Sequence, residues 1–182
     1  MKVYMMGSHA IGKSTLARYV SEKYNLPMIS ETARMVLSEQ ELQIDSLRTD
    51  LNVVNKYQTQ VFHRQILEEQ KYTSFVSDRS IIDTLAYAAQ HSNIMPQLLH
   101  SDELKTYLEI LRQPDSFIFF IRPSKATMKT DGVRETLTWD GMVSIDAQIK
   151  ILMKMFELRY FQIDTDNMQE RAFLIDSVLS LK

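Results

Sequence analysis

Lys2-Val3-Tyr4-Met5-Met6-Gly7-Ser8-His9-Ala10-Ile11-Gly12-Lys13-Ser14 is the stretch on which the fold turns. Its second half is the pattern G-x-x-x-x-G-K-[ST], a phosphate-binding loop, and its first half is a short apolar strand. Gly7 and Gly12 let the backbone turn so that its N–H groups point inward onto phosphate oxygens. The helix that follows presents its positive end to the same anion. Lys13 is placed to reach β- and γ-phosphates, and the Ser14 hydroxyl to ligate Mg²⁺. An incidental glycine turn would satisfy the bare pattern, but strand, loop and helix occur here in the required order. The chain holds only four glycines, and two of them stand in this loop.

Working outward, 182 residues imply one domain, 1–182, with a sizeable core. The chain is 45% hydrophobic and 24% charged, and its formal net charge of -2 exerts no global pull toward nucleic acid or anionic membrane. With no cysteine, disulfides, thiolate catalysis and Cys-ligated zinc are excluded. The four histidines lack metal-site spacing. No apolar run approaches the roughly 20 residues that span a bilayer, and the N-terminal run reads as a core strand rather than a signal peptide. A cytoplasmic location is the resulting expectation. The eleven methionines read as adaptable core filler.

Further along, strands and helices alternate. Expected strands are Val3–Met6, Pro27–Ser30, Thr73–Asp78, Ser116–Ile121 and Tyr160–Ile163. Expected helices are Lys13–Tyr24, a stretch from Glu31 to Leu37, Leu51–Lys71, Ile81–His91, Pro96–Arg112, Trp139–Leu158 and Asp166–Leu181. Ser-Phe-Ile-Phe-Phe-Ile at 116–121 is apolar without alternation, as in a parallel strand covered on both faces. Right-handed βαβ crossovers and a three-layer α/β domain follow. Ligands then bind at the carboxyl ends of the strands, and polar residues do collect there: Ser30-Glu31-Thr32-Ala33-Arg34, Asp78-Arg79-Ser80, Arg122-Pro123-Ser124 and Asp164-Thr165-Asp166.

These strand ends carry the candidate chemistry. Glu31 is suited to orient an attacking hydroxyl or take its proton; equally, it is a helix-start glutamate favoured by the dipole. Arg34, one turn on, is placed to hold an acceptor phosphate or to pair with Glu31. Asp78 is a candidate Mg²⁺ ligand or a second base, and also a candidate helix N-cap in competition with Ser80. Arg79 is a candidate phosphate or sugar clamp. Segment 122–138 carries Arg122, Lys125, Lys129, Gly132 and Arg134, and reads as a lid that brings mobile positive charge over a γ-phosphate. On the long helix, Gln58 is a candidate base reader, with Tyr57 or Phe62 stacking; the alternative is core aromatics beside a solvated glutamine.

Together, the loop, Ser-Glu-Thr-Ala-Arg, Asp-Arg-Ser-Ile-Ile-Asp-Thr-Leu-Ala-Tyr and Asp-Gly-Val-Arg resemble the small P-loop kinases related to the ribosylnicotinamide kinase domain of bacterial NAD regulators, a family labelled as AAA-type ATPase domains. The resemblance spans nearly the whole chain. It implies a five-stranded parallel sheet of order 2-3-1-4-5 with helices on both faces and a lid, and the use of ATP and Mg²⁺. It implies nucleotide contacts from Gly7, Ser8, His9, Ala10, Ile11, Gly12, Lys13, Ser14 and Thr15, and metal contacts from Ser14 and Asp78. Glu31 is implied near the acceptor, Asp78 near the metal or acceptor, and Arg134 in the lid; in the expected reaction Arg79, Arg122 and Arg134 share transition-state charge. The Tyr57-Gln58 to Phe62 stretch is also similar to the base-reading helix of deoxynucleoside kinases, and Thr32 departs from the aromatic residue common in ribosylnicotinamide kinases. A compact kinase without an adenylyltransferase domain is the expectation, which suits a phage genome. The expected activity is phosphoryl transfer from ATP to a hydroxyl or phosphate of a nucleoside or nucleotide. Two alternatives are a kinase of hydroxymethylated bases in phage DNA and an AAA-type regulatory ATPase. The latter is disfavoured by the lack of an Asp-Glu pair after an apolar strand. Expected partners are small nucleosides or nucleotides, with DNA and a second copy of the chain as further partners and no membrane.

Overall fold

A computed structural model describes residues 1–39, 50–125 and 138–180. Its elements in chain order are β1 (Lys2–Met6), α1 (Lys13–Tyr24), β2 (Met28–Ile29), α2 (Thr32–Glu39), α3 (Leu51–Gln70), β3 (Phe75–Asp78), α4 (Ile81–His91), α5 (Met95–Leu99), α6 (Asp102–Leu111), β4 (Ser116–Ile121), α7 (Trp139–Met155), β5 (Phe161–Ile163) and α8 (Met168–Leu179). The five strands form one parallel sheet in the order β2-β3-β1-β4-β5, the order that the family resemblance implies.

The central strand shows why the sheet is covered on both faces. Side chains alternate across a strand, and both sets of β1 are apolar. Tyr4 and Met6 join Ile118 and Phe120 in a core completed by α3, α4, α6 and α7. Val3 and Met5 join Phe117, Phe119 and Ile121 in a second core under α1 and α8. The apolar run of β4 therefore divides between the two, and its last five residues are buried.

One expected helix is two. Pro96–Arg112 resolves into α5 and α6, because the Ser101 side chain accepts the Leu104 N–H and starts a new helix. Pro96, in turn, lies in the first turn of α5. The lid expectation falls largely outside the described residues: of 122–138, only 122–125 and Thr138 are described, and Arg134 is not among them.

Candidate functional site

β1 delivers the chain to the loop at the carboxyl edge of the sheet. Gly7 has φ +141°, and a Cβ there would lie 2.4 Å from the Ile121 carbonyl oxygen, so the loop start is closed to any side chain. Gly12, at φ +91°, is the N-cap of α1 and has no side-chain cap, so the first N–H groups of the helix are left for a ligand. Ala10 also adopts a left-handed conformation, at φ 58°.

Two long-range contacts and one internal contact hold the loop. The Gly7 N–H donates to Asp83 Oδ1 at 2.9 Å. Arg171, fully buried on α8, donates to the Ile11 carbonyl and, at 2.6 Å, to the Thr165 carbonyl. Lys13 Nζ donates to the Ser8 carbonyl. Burial, and then the nearby Arg79 charge, lowers the Lys13 pKa from 10.5 to about 8. A buried ammonium with a single neutral partner is a site waiting for an anion.

β3 ends at Asp78, beneath the loop, and Ser14 Oγ donates to Asp78 Oδ2 at 2.5 Å. Asp78 is 3% exposed, and its Oδ1 meets no partner. A hydroxyl beside an orphaned carboxylate oxygen fits Mg²⁺, which keeps waters and substrate phosphates as its other ligands. Among the described residues no group of three or more acids or histidines offers a self-sufficient metal cage. Asp78 does not cap α4. Ser80 is the N-cap, and Asp83 reaches back to its N–H at 2.9 Å in a capping box. Asp83 thus ties the helix start and the loop start together, one carboxylate oxygen to each.

Arg79 follows Asp78 with φ 90°, unusual for a residue with a Cβ. The strained turn carries its guanidinium to Glu31, whose Oε1 lies 2.9 Å from Arg79 Nη2, while Arg34 Nε meets Glu31 Oε2 at 2.7 Å. Burial opposes the Glu31 charge, but Arg79, Lys13 and Arg34 outweigh it and hold the carboxyl below its ordinary range. The Arg79 guanidinium also lies 5.1 Å from the centre of the Tyr87 ring. Tyr87, in turn, bonds His9 Nδ1 at 2.5 Å. Burial first, and then Arg79 and Lys13, depress the His9 pKa to about 4, so the ring is neutral. Six buried side-chain atoms around the loop meet no partner: Ser8 Oγ, His9 Nε2, Asp78 Oδ1, Arg79 Nε and Nη1, and Arg171 Nη2. Orphaned buried polar atoms in such density mark a ligand-binding surface.

Of the candidate residues, Lys13, Ser14, Glu31, Arg34, Asp78 and Arg79 come together here, and Thr15, in the first turn of α1, is exposed beside them. Others do not fit as expected. Phe62 is fully buried in the core with Phe75 and Tyr107, so it stacks on no base. Tyr57 is packed against Val36 and Val61, and its hydroxyl is taken by the Ala33 carbonyl at 2.9 Å. Gln58 is 7% exposed and meets no hydrogen-bond partner among the described residues. Arg122 is held by a two-point pair with the buried Asp146, both contacts at 2.9 Å, which neutralises its charge. Asp83 and Tyr87 were legible as Ser80-x-x-Asp83 and as the end of the same motif. Arg171, 160 residues from its loop partner, carried no local signal.

Comparison with known proteins places this geometry. Among solved structures, the NadR protein in complex with NAD and AMP-PNP superposes with a TM-score of 0.73 at 19% identity, over 98% of this chain and 48% of that one. The chain thus spans about half the length of NadR. Deoxyadenosine kinase from M. mycoides, with the products dCMP and dCDP bound, aligns over 100% of both chains (TM-score 0.69, 15% identity). Shikimate kinase from Acinetobacter baumannii, in complex with shikimate, aligns over 100% of this chain and 94% of that one (TM-score 0.62, 12% identity). No curated protein matches in sequence. No described helix is long and apolar enough to cross a membrane. Residues 2–171 match the family model described as an AAA domain, so the chain belongs to the AAA domain family and carries the fold of the P-loop kinases.

Proposed function

We propose that the protein transfers the γ-phosphoryl group of ATP to a hydroxyl of a nucleoside. The carrying observation is the Glu31–Arg79 contact, which sets an ionised carboxylate against the loop that holds Lys13. A hydroxyl acceptor must lose a proton as it attacks, and Glu31 is positioned to take it. A phosphate acceptor arrives already ionised; it needs no base and would be repelled by Glu31. The full-length alignment with deoxyadenosine kinase supports a nucleoside in particular.

Lys13 and the uncapped start of α1 bind the donor phosphates. Arg79 keeps two unpartnered nitrogens for the group in transfer while its third holds Glu31 in place. Ser14 and Asp78 would hold Mg²⁺, which supplies charge neutralisation at the donor phosphates when bound. Asp83 and Arg171 keep the loop in register from opposite sides.

The test is transfer of labelled γ-phosphate from ATP to a panel of nucleosides, nucleoside monophosphates and hydroxymethylated DNA, with Glu31→Gln alongside. A nucleoside product is expected, and Glu31→Gln should lose about 10²–10⁴ in kcat with ATP affinity retained. Labelling of monophosphates alone, undiminished in Glu31→Gln, would overturn the hydroxyl reading.

A further inference from the structure

Behind the site lies a polar chain that the proposed reaction does not use. We propose that Gln65 and Glu69 form a buried positioning unit that sets the separation of Glu31 and Asp78, and that the charge state of Glu69 governs it. The inference rests on the kinase reading above and adds two residues that touch neither substrate nor metal.

Gln65, fully buried on α3, has its carbonyl on α2 and its amide on β3 and on Glu69 of its own helix. Its Oε1 accepts from Thr32 Oγ1 at 2.7 Å, and Thr32 directly follows Glu31. Its Nε2 donates to Ser77 Oγ at 2.9 Å, and Ser77 directly precedes Asp78. The same Nε2 donates to Glu69 Oε1 at 2.6 Å. One amide thus joins the starts of both acidic strand ends, and Thr32 and Ser77 are themselves buried. β2 is only two residues long, so the backbone around Glu31 gains little support from the sheet; Arg79 and Arg34 hold its carboxylate, and the Thr32 bond anchors the next residue. Displacements of about 1 Å at such groups can lower rates about a hundredfold.

Glu69 decides which way the amide faces. Besides Gln65, it accepts from Tyr107 at 2.7 Å and Tyr4 at 3.1 Å. An ionised carboxylate has no hydrogen to give, so three donors must face it; the Gln65 nitrogen then points to Glu69 and its oxygen to Thr32. A protonated Glu69 carries a donor hydrogen, and that constraint is gone. Burial raises the Glu69 pKa to about 7, against the opposing pull of Gln65, Tyr107, Tyr4 and Lys2. Glu69 also lines a cavity of about 390 Å³ at the amino ends of β1 and β3, on the far side from the loop, through which protons can reach it. The titratable groups facing the cavity are Lys2 from β1, Tyr72 after α3, and Asp102, Glu103 and Tyr107 from α6; Lys2 is engaged by Asp115 at 3.1 Å.

The experiment is a pH 5–9 titration of the isotope-labelled full chain by NMR, following the Glu69 carboxyl carbon and the Thr32 and Ser77 amides. All three should share one midpoint near 7. In Glu69→Gln the step at Thr32 and Ser77 should vanish; in Gln65→Leu Glu69 should still titrate while Thr32 no longer follows. In turnover assays, kcat should rise through pH 7 in the wild type and be flat there in Glu69→Gln. Gln65→Leu should lower kcat about tenfold at unchanged KM for ATP. Amides that ignore the Glu69 midpoint, or a kcat inflection that survives Glu69→Gln, would overturn the proposal. The wild-type titration needs no variant to fold. Coupled amides in a protein that phosphorylates no acceptor would overturn the kinase reading and support the chain.

Discussion

Lys13→Met should make the protein more stable and nearly inactive. Lys13 is 5% exposed, and its ammonium is held in the unliganded fold with only the Ser8 carbonyl as acceptor. Its pKa falls from 10.5 to about 8, with burial the main cause and Arg79 the next. At about 1.4 kcal/mol for each tenfold change in proton affinity, that fall means roughly 3 kcal/mol spent holding the charge at neutral pH. Methionine keeps the side-chain volume and removes the charge. It also leaves the Ser8 carbonyl without its donor, which costs about 1 kcal/mol or somewhat more. The net gain is about 1–2 kcal/mol, or about 5 °C in Tm for a chain of this size. Turnover should fall by about 10²–10³ or more, since a positioned charge at the transferred group is lost. The sign of the pH dependence is a second check. The unfolded chain binds the Lys13 proton more tightly than the fold does. Wild-type stability without nucleotide therefore carries the full penalty below pH 8 and recovers as pH rises from 8 toward 10.5; the variant lacks this recovery. Calorimetry with and without ATP decides the matter: ATP should raise the wild-type Tm and move the variant far less. A variant no more stable than wild type would refute the buried-charge argument, and full turnover would refute the kinase reading.

The two loop glycines should respond differently to alanine. Gly7→Ala meets the Ile121 backbone at 2.4 Å and should abolish nucleotide binding. Gly12→Ala meets only the end of the Met168 side chain at 2.7 Å, which can move, and should weaken binding chiefly through its φ of +91°; ATP titration by calorimetry orders them. Asp83→Ala strips the acceptor from the Gly7 and Ser80 N–H groups together and should destabilise by about 2–4 kcal/mol, read from urea midpoints. His9 is neutral in the fold, with a pKa of about 4 against 6.5 when unfolded, so its contribution is present above pH 6.5 and lost as pH falls toward 4. In His9→Phe, the acid limb of the stability curve should be shallower across that window.

The loop and the polar strand ends were legible because each is local, whereas the strand order was reached only through the family resemblance. A glycine pattern between a strand and a helix, an apolar run in β4 and acids directly after strands are readable within a few residues. So was the pairing of Arg34 with Glu31, one helical turn apart. Roles that depend on where a face points were left open between alternatives by the sequence. Phe62 and Gln58 share a helix, yet Phe62 turned into the core, because α3 packs between the sheet and neighbouring helices. Arg122 leaves β4 at the right edge, but Asp146 on α7, 24 residues away, claims it.

Local patterns of residues are enough to specify a phosphate-binding α/β domain with acids and arginines at its carboxyl edge. How those groups combine is set by long-range packing. The left-handed turn at Arg79, the Arg171 bond to the loop and the Gln65 bridge between Thr32 and Ser77 join residues far apart in the chain. Such contacts follow from how the layers pack around the sheet, and no short window of residues encodes them.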